Sequence, residues 1–123
     1  IAKAFIRQSP FEIWGNGQQT RNFTYVDDIV EAFVLACENI DDGTAINAGT
    51  DEFISLEDAS EAVFREMNWR PDQGLAFSPH RPVGVIHRAA DTEFARKTTG
   101  WTPSYGLAEG LAKTIAYFRA RPD

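Results

Sequence analysis

Apolar residues recur at helical spacing through several segments of this chain and alternate with polar residues in stretches between them. Spacing of three and four residues is typical of a helix with one buried face, and alternation is typical of a strand. The pattern predicts helices over residues 1–9, 28–40, 56–68, 92–100 and 106–119. It predicts strands over residues 11–15, 21–26, 44–50 and 75–78. Alternating helices and strands indicate a small α/β domain, which we expect to span residues 1–123 as one unit.

Polar residues precede two of the predicted helices. Asp27 or Asp28 comes before the apolar spacing of the second helix, and Ser55, followed by Asp58, comes before that of the third. These side chains accept hydrogen bonds from the free N–H groups of a first helical turn, so we expect them to act as caps. Cys37 falls on the apolar stripe of the second helix, which predicts a small buried side chain.

Composition and charge exclude several classes of function. The 123 residues carry 12 Lys and Arg against 18 Asp and Glu, a net charge of −6, which argues against nucleic-acid binding. No apolar stretch is long enough to span a membrane, so we expect no membrane partner and a cytoplasmic location. One cysteine excludes an internal disulfide and a cysteine-rich zinc site. The first residue is Ile1 rather than Met, so we expect an upstream segment to have been removed or left out.

The sequence contains no recognisable catalytic set. The Gly-Asn-Gly run at 15–17 resembles part of a dinucleotide-binding loop, but Thr20 stands at the sixth position and a helix follows only near residue 28. A plain turn is therefore predicted there. His80 and His87 lie in a proline-rich stretch without a triad partner, and no Tyr-x-x-x-Lys pair occurs. We predict no catalytic, cofactor-binding or metal-binding residue in this chain.

Cationic and polar side chains form two groups far apart along the chain. The first group is Lys3, Arg7, Gln18, Gln19 and Arg21, and the second is Arg81 and Arg88, which flank a predicted loop. Guanidinium groups hold phosphate oxygens in pairs and keep their charge, so one interpretation is an anion clamp. Ordinary ion pairing at the surface is the alternative, and the spacing leaves both open.

The order of short motifs along the chain resembles the carboxyl-terminal half of the extended short-chain dehydrogenase/reductase family, in enzymes that act on nucleotide sugars. The motifs are residues 11–17 (FEIWGNG), 19–28 (QTRNFTYVDD), 47–50 (NAGT), 54–56 (ISL), 82–85 (PVGV), Arg88 with Asp91, 100–103 (GWTP), and Leu107 through Gly110-Leu111 to Tyr117-Phe118. They cover essentially the whole chain. Within the family, the likeness is greatest to GDP-mannose 3,5-epimerases.

The resemblance implies which residues bind the substrate and which part of the enzyme binds the cofactor. The substrate contacts it implies are Lys3, Gln19, Thr20, Arg21 and Arg88, with the two arginines on the diphosphate. It also implies that Ile13 and Trp14 lie near the nucleotide base. In such enzymes a Rossmann half binds NAD and precedes the segment seen here. The chain is then expected to be the α/β substrate-binding domain of an NAD-dependent nucleotide-sugar epimerase or dehydratase, inactive alone.

Two further expectations concern partners. The alternative to a part of an enzyme is a stand-alone module that binds nucleotide sugars, or another partner, without catalysis. If a Rossmann half is missing, an apolar surface that it would cover is left open, and the aromatic residues Phe11, Trp14 and Phe23 suggest where. Such a surface favours self-association of the chain.

Overall fold

The computed structural model describes residues 1–121, and Pro122, where the last helix was expected to stop, lies outside them. Its helices are α1 (Ala2–Phe5), α2 (Val26–Asn39), α3 (Leu56–Met67), α4 (Glu93–Thr99) and α5 (Leu107–Arg119). Its strands are β1 (Phe11–Trp14), β2 (Thr20–Arg21), β3 (Ile54–Ser55) and β4 (Leu75–Ser78). The α/β class is as predicted.

The core lies between β1 and helices α1 and α3. Alternation along β1 turns Phe11 and Ile13 inward, where they meet Ala4 of α1 and Val63 and Phe64 of α3. The rings of Phe11 and Phe64 meet edge to face, with centroids 4.9 Å apart. β1 pairs in parallel with β4, while β2 pairs antiparallel with β3. This packing fixes the position of β1, whose other face carries part of the candidate site.

α3 matches its prediction closely. Ser55 is the N-cap, and its hydroxyl oxygen accepts a hydrogen bond from the Asp58 N–H at 2.9 Å. Asn68 ends the helix in the left-handed conformation at φ 48°. Gly100 ends α4 in the same way at φ 74°. The N-cap predicted for α3 and the predicted stop of α4 are therefore confirmed.

Three predicted elements differ in the structure. α1 ends at Phe5 rather than near residue 9, because Arg7 adopts a left-handed conformation at φ 52° that a helix cannot continue through. Of the stretch predicted over 21–26, only Arg21 lies in a strand, as the second residue of β2, and 44–50 forms no strand.

Side chains take over part of the backbone hydrogen bonding that a neighbouring strand would supply to these stretches. Asn22 Nδ2 donates to the Thr50 carbonyl at 2.7 Å, and Thr24 Oγ1 accepts from the Thr50 N–H at 3.2 Å.

The start of α2 also differs. Tyr25, not Asp27 or Asp28, is the N-cap, and it makes no side-chain capping bond. Asp28 lies inside the first turn and is fully buried, where its oxygens accept from the N–H groups of Ser104 at 2.8 Å and Tyr105 at 3.2 Å. Cys37 was predicted to be buried and is exposed. The cause is that the apolar face of α2 has little packed against it.

Neither a membrane-spanning helix nor a metal-binding cluster is present within residues 1–121. No helix within residues 1–121 combines the length and the apolar character needed to cross a membrane. No group of three or more His, Cys, Asp or Glu side chains in the same residues is placed to hold a metal ion.

Candidate nucleotide-sugar site

The turn after β1 is tightly packed and needs its glycines. Gly15 has φ 82°, and a Cβ there would lie 2.4 Å from Val83 Cγ1. Gly17 has φ 81°, and a Cβ there would lie 2.5 Å from Phe77 Cε1. Both positions exclude a side chain through conformation and through space. The Gly-Asn-Gly run is a turn, and it lies directly against the loop that carries Arg81 and Arg88.

Gln19 supports this turn from inside. Its side chain is 2% exposed, and Nε2 donates to the Trp14 carbonyl at 2.6 Å. Its Oε1 is buried, and within residues 1–121 no partner accompanies it. The Gln19 carbonyl accepts from the Leu56 N–H at 3.1 Å, which ties the turn to α3. Of the predicted substrate contacts, Gln19 is the one turned toward the interior.

A short parallel bridge joins the two cationic groups of the sequence. Thr20 pairs with His87, the Thr20 N–H donates to the Ile86 carbonyl at 2.9 Å, and Thr20 Oγ1 lies 3.1 Å from His87 Nδ1. Paired backbones lie about 4.8 Å apart, and Arg21 and Arg88 are the residues that directly follow the two members of this isolated bridge. Residues far apart in sequence are thus brought together.

Arg21 also holds the loop that contains Val83. Its guanidinium donates to the carbonyl of Thr20 at 2.7 Å and to that of Val83 at 3.1 Å. A guanidinium has five N–H donors, so about three remain for a ligand. Arg88 is exposed, and its side chain has no hydrogen bond or ion pair to any other residue that the structure describes. Both arginines therefore have donors available for an anion.

β1 presents an aromatic ring on the opposite side from the core. Trp14 is 46% exposed, whereas Ile13, predicted with it as a base contact, points into the core and is buried. The Arg81 guanidinium lies over the Trp14 ring, 5.4 Å from its centroid. Trp14 and Lys3 also border a cavity of about 700 Å³, whose lining includes the core-facing Phe11 and Ile13. Lys3 Nζ donates to the Glu12 carbonyl at 2.8 Å, so this lysine is fixed beside β1.

Glu12 belongs to this site, although the motifs do not mark it as a contact. Its Oε1 accepts from the Ser78 hydroxyl at 2.9 Å, and this bond is the main cause of its lowered pKa. The charges of Lys3 and Arg81 lower the pKa further, and the side chain of Trp14 contributes least. Alternation along β1 places Glu12 on the same face as Trp14, which is the sequence signal that identifies it.

The site combines cations, an aromatic face and one carboxylate. Such a set can hold an anion and stack a flat ring. Ordinary surface ion pairing, the alternative for the arginines, does not occur at Arg21 or Arg88 among the ion pairs of residues 1–121.

Sequence comparisons identify relatives along nearly the whole chain. Residues 1–114 match the family model described as GDP-mannose 4,6 dehydratase. UDP-glucose 4-epimerase of Mycolicibacterium smegmatis is 34% identical over 119 residues, which are 97% of this chain and 37% of that protein. GDP-mannose 3,5-epimerase of Arabidopsis thaliana is 34% identical over 116 residues, which are 94% of this chain and 29% of that protein. The chain thus spans well under half the length of these relatives.

Solved structures agree. UDP-glucose 4-epimerase of Thermotoga maritima, crystallised with UDP-glucose, has a TM-score of 0.87 at 28% identity over 98% of this chain and 38% of its own. MoeE5, in complex with UDP-glucose and NAD, has a TM-score of 0.83 at 34% identity over 98% of this chain and 40% of its own. The chain belongs to the extended short-chain dehydrogenase/reductase family, among its nucleotide-sugar epimerases and dehydratases.

Proposed function

We propose that this chain is the substrate-binding part of an NAD-dependent nucleotide-sugar epimerase or dehydratase, and that Arg21 and Arg88 hold the diphosphate of the substrate. The bridge between Thr20 and His87 is the observation that supports the proposal, because Arg21 and Arg88 each follow one of its two residues. Thr20 and Lys3 complete the polar side of the site, and the Trp14 ring receives the base. Family membership favours this function over a stand-alone binding module.

Binding of UDP-glucose to single variants tests the diphosphate clamp. Arg21→Ala and Arg88→Ala should each weaken binding by about 1.5–3 kcal/mol, the usual contribution of hydrogen bonds to a charged group. Arg→Lys should recover part of the loss, since an ammonium cannot form the paired contact of a guanidinium. Isothermal titration calorimetry measures both effects.

The control is Arg119→Ala, which removes an exposed arginine at the end of α5 and should leave binding unchanged. Arg21 also bonds the Val83 carbonyl, so urea unfolding of each variant is measured in parallel. We expect stability to change little, by about 0.5–1.5 kcal/mol per lost bond at most. Equal affinity of wild type and both alanine variants would contradict the clamp.

NAD belongs, in this proposal, to a Rossmann part outside this chain. NAD would remove and return a hydride at a sugar carbon, while the residues described here position the sugar nucleotide. The support is that MoeE5 carries NAD together with UDP-glucose and is much longer than this chain. We expect no turnover of UDP-glucose or GDP-mannose by the isolated chain with added NAD. Detectable epimerised product in a coupled assay would overturn the assignment of NAD binding to a part outside this chain.

The Rossmann part would cover the open side of α2. Val26, Val30, Phe33 and Val34 are large apolar residues of this helix that lie more than half exposed. A cavity of about 550 Å³ with mostly apolar lining, including Phe23, continues this surface at the start of the helix. The aromatic cluster expected from the sequence is only partly correct, because Phe11 lies in the core.

Without that cover, we propose that the isolated chain self-associates through α2. Sedimentation velocity at rising protein concentration should show oligomers that Phe33→Glu reduces. A clean monomer at every concentration would count against this. A cytoplasmic location and a single domain over the chain complete the proposal.

A further inference from the structure

The relatives leave the nucleotide base open, since two of them share the same 34% identity and their names specify UDP-glucose and GDP-mannose. The chemistry beside Trp14 differs from that of a general stacking surface. Glu12 and Trp14 lie on one face of β1, and the Trp14 side chain is close enough to act on the Glu12 carboxyl through a hydrogen bond. A carboxylate is thus available at the edge of any ring stacked on the indole.

The carboxylate of Glu12 is held in place. Ser78 Oγ donates to its Oε1 at 2.9 Å, and Lys3 holds the backbone of the same residue through its carbonyl at 2.8 Å. The bond from Ser78, followed by the charges of Lys3 and Arg81, lowers the pKa of this carboxyl, so it is ionised at neutral pH. An ionised carboxylate only accepts hydrogen bonds, with room for about four across its two oxygens. The bond from Ser78 therefore leaves acceptor capacity on both oxygens.

We propose that Glu12 is the base-selecting residue of the site and that it selects guanine, so that the ligand is a guanosine diphosphate sugar. Guanine carries two N–H donors side by side on its Watson–Crick edge, and these match the two oxygens of one carboxylate. Uracil and thymine flank their single N–H with carbonyl oxygens, which a carboxylate repels. Cytosine offers one amino group beside an acceptor nitrogen, so it gains a single contact.

The aromatic contacts favour the same base. A purine covers more of the Trp14 ring than a pyrimidine does, and stacking of a base on an aromatic side chain contributes about 1–3 kcal/mol. Arg81 already lies over this ring at 5.4 Å, so it either shifts to flank the base or stacks on it. This inference rests on the proposed function, because it assigns the base of the same ligand.

Calorimetric titration of the chain with GDP, UDP, CDP and inorganic pyrophosphate tests the assignment. We expect GDP to bind at least about tenfold more tightly than UDP or CDP, a difference of about 1.4 kcal/mol. Glu12→Gln should bring GDP and UDP to within about threefold, because the amide replaces one acceptor by a donor. Pyrophosphate affinity should be the same in both proteins. Glu66→Gln, at an exposed position of α3, is the matched control and should keep the preference.

The outcomes separate the two proposals. Equal binding of GDP and UDP by the wild type, or an unchanged preference in Glu12→Gln, overturns the base assignment while pyrophosphate binding keeps the diphosphate site intact. Binding of neither nucleotides nor pyrophosphate overturns both. The wild-type comparison of GDP with UDP needs no variant, so a folding defect in Glu12→Gln would not remove the test.

Discussion

α3 and α2 are amphipathic helices of similar length, but α3 is packed against the rest of the chain and α2 is largely exposed. α3 buries Ala62, Val63 and Phe64 against the rest of the chain. α2 has the more apolar sequence, yet among its residues only Asp28 and Ala32 are buried. Apolar spacing therefore reports how much surface a helix has to bury. Whether that surface is buried depends on what the rest of the molecule places beside it.

The difference continues beyond the helices themselves. α3 packs on α5 and on the core around β1. α2 packs mainly on the short α4, and the neighbouring stretch 44–50, although strand-like in sequence, pairs with no strand among residues 1–121. One side of the chain is thus complete and the other is open. An open side fits a chain that spans 37% of a relative that matches it along 97% of its own length.

The largest expected effect separates the two helices directly. Phe64 of α3 is 3% exposed and packs edge to face on Phe11 and on Trp69. Phe64→Ala should lower the free energy of unfolding by about 3–5 kcal/mol, through lost burial and a cavity. Phe33 of α2 is 68% exposed, so Phe33→Ala should change it by less than about 0.5 kcal/mol. Urea denaturation measures both, and similar losses would abolish the distinction between closed and open sides.

The next largest expected change in the free energy of unfolding is at Asp28, which anchors the first turn of α2. Its two oxygens receive the backbone N–H groups of Ser104 and Tyr105, and it is 1% exposed. Asp28→Asn replaces one acceptor by a donor facing an N–H group, so we expect a loss of about 1–3 kcal/mol in unfolding free energy. Asp27→Asn, one residue earlier and exposed, should change little. An equal effect of the two would show that Asp28 is not the anchor.

The smallest expected effect is on stability at low pH. It involves Asp51, which follows the 44–50 stretch and contacts the start of α4. The Thr92 hydroxyl, followed by Arg96, lowers the pKa of Asp51, whose oxygens lie 2.8 Å from each. A lowered folded-state pKa stabilises the protein above the unfolded value, about pH 4, and this contribution disappears as pH falls through the folded value.

Asp51→Asn should therefore reduce the drop in the urea midpoint between pH 6 and pH 3, with Asp41→Asn as the control at another exposed aspartate. If the urea midpoint of Asp51→Asn fell between pH 6 and pH 3 as much as that of the wild type, this contact would make no measurable contribution to stability.

Local sequence determined much of this fold. The caps and limits of α3, the stop of α4 at Gly100 and the turn at 15–17 follow from residue types whose conformational preferences act within a few positions. Alternation along β1 likewise fixed that Trp14 points away from the core. The ordered motifs also indicated the family before any contact between distant residues was known.

Tertiary structure decided what depends on distant partners. The exposure of Cys37, the missing strand at 44–50 and the burial of Asp28 under Ser104 all follow from which segments meet, and no local pattern encodes that. The same holds for the site, where the Thr20–His87 bridge joins two cationic groups that the sequence keeps apart. Hydrogen-bond and burial energies depend on such neighbours, so the sequence alone could list the candidate residues but could not assemble them.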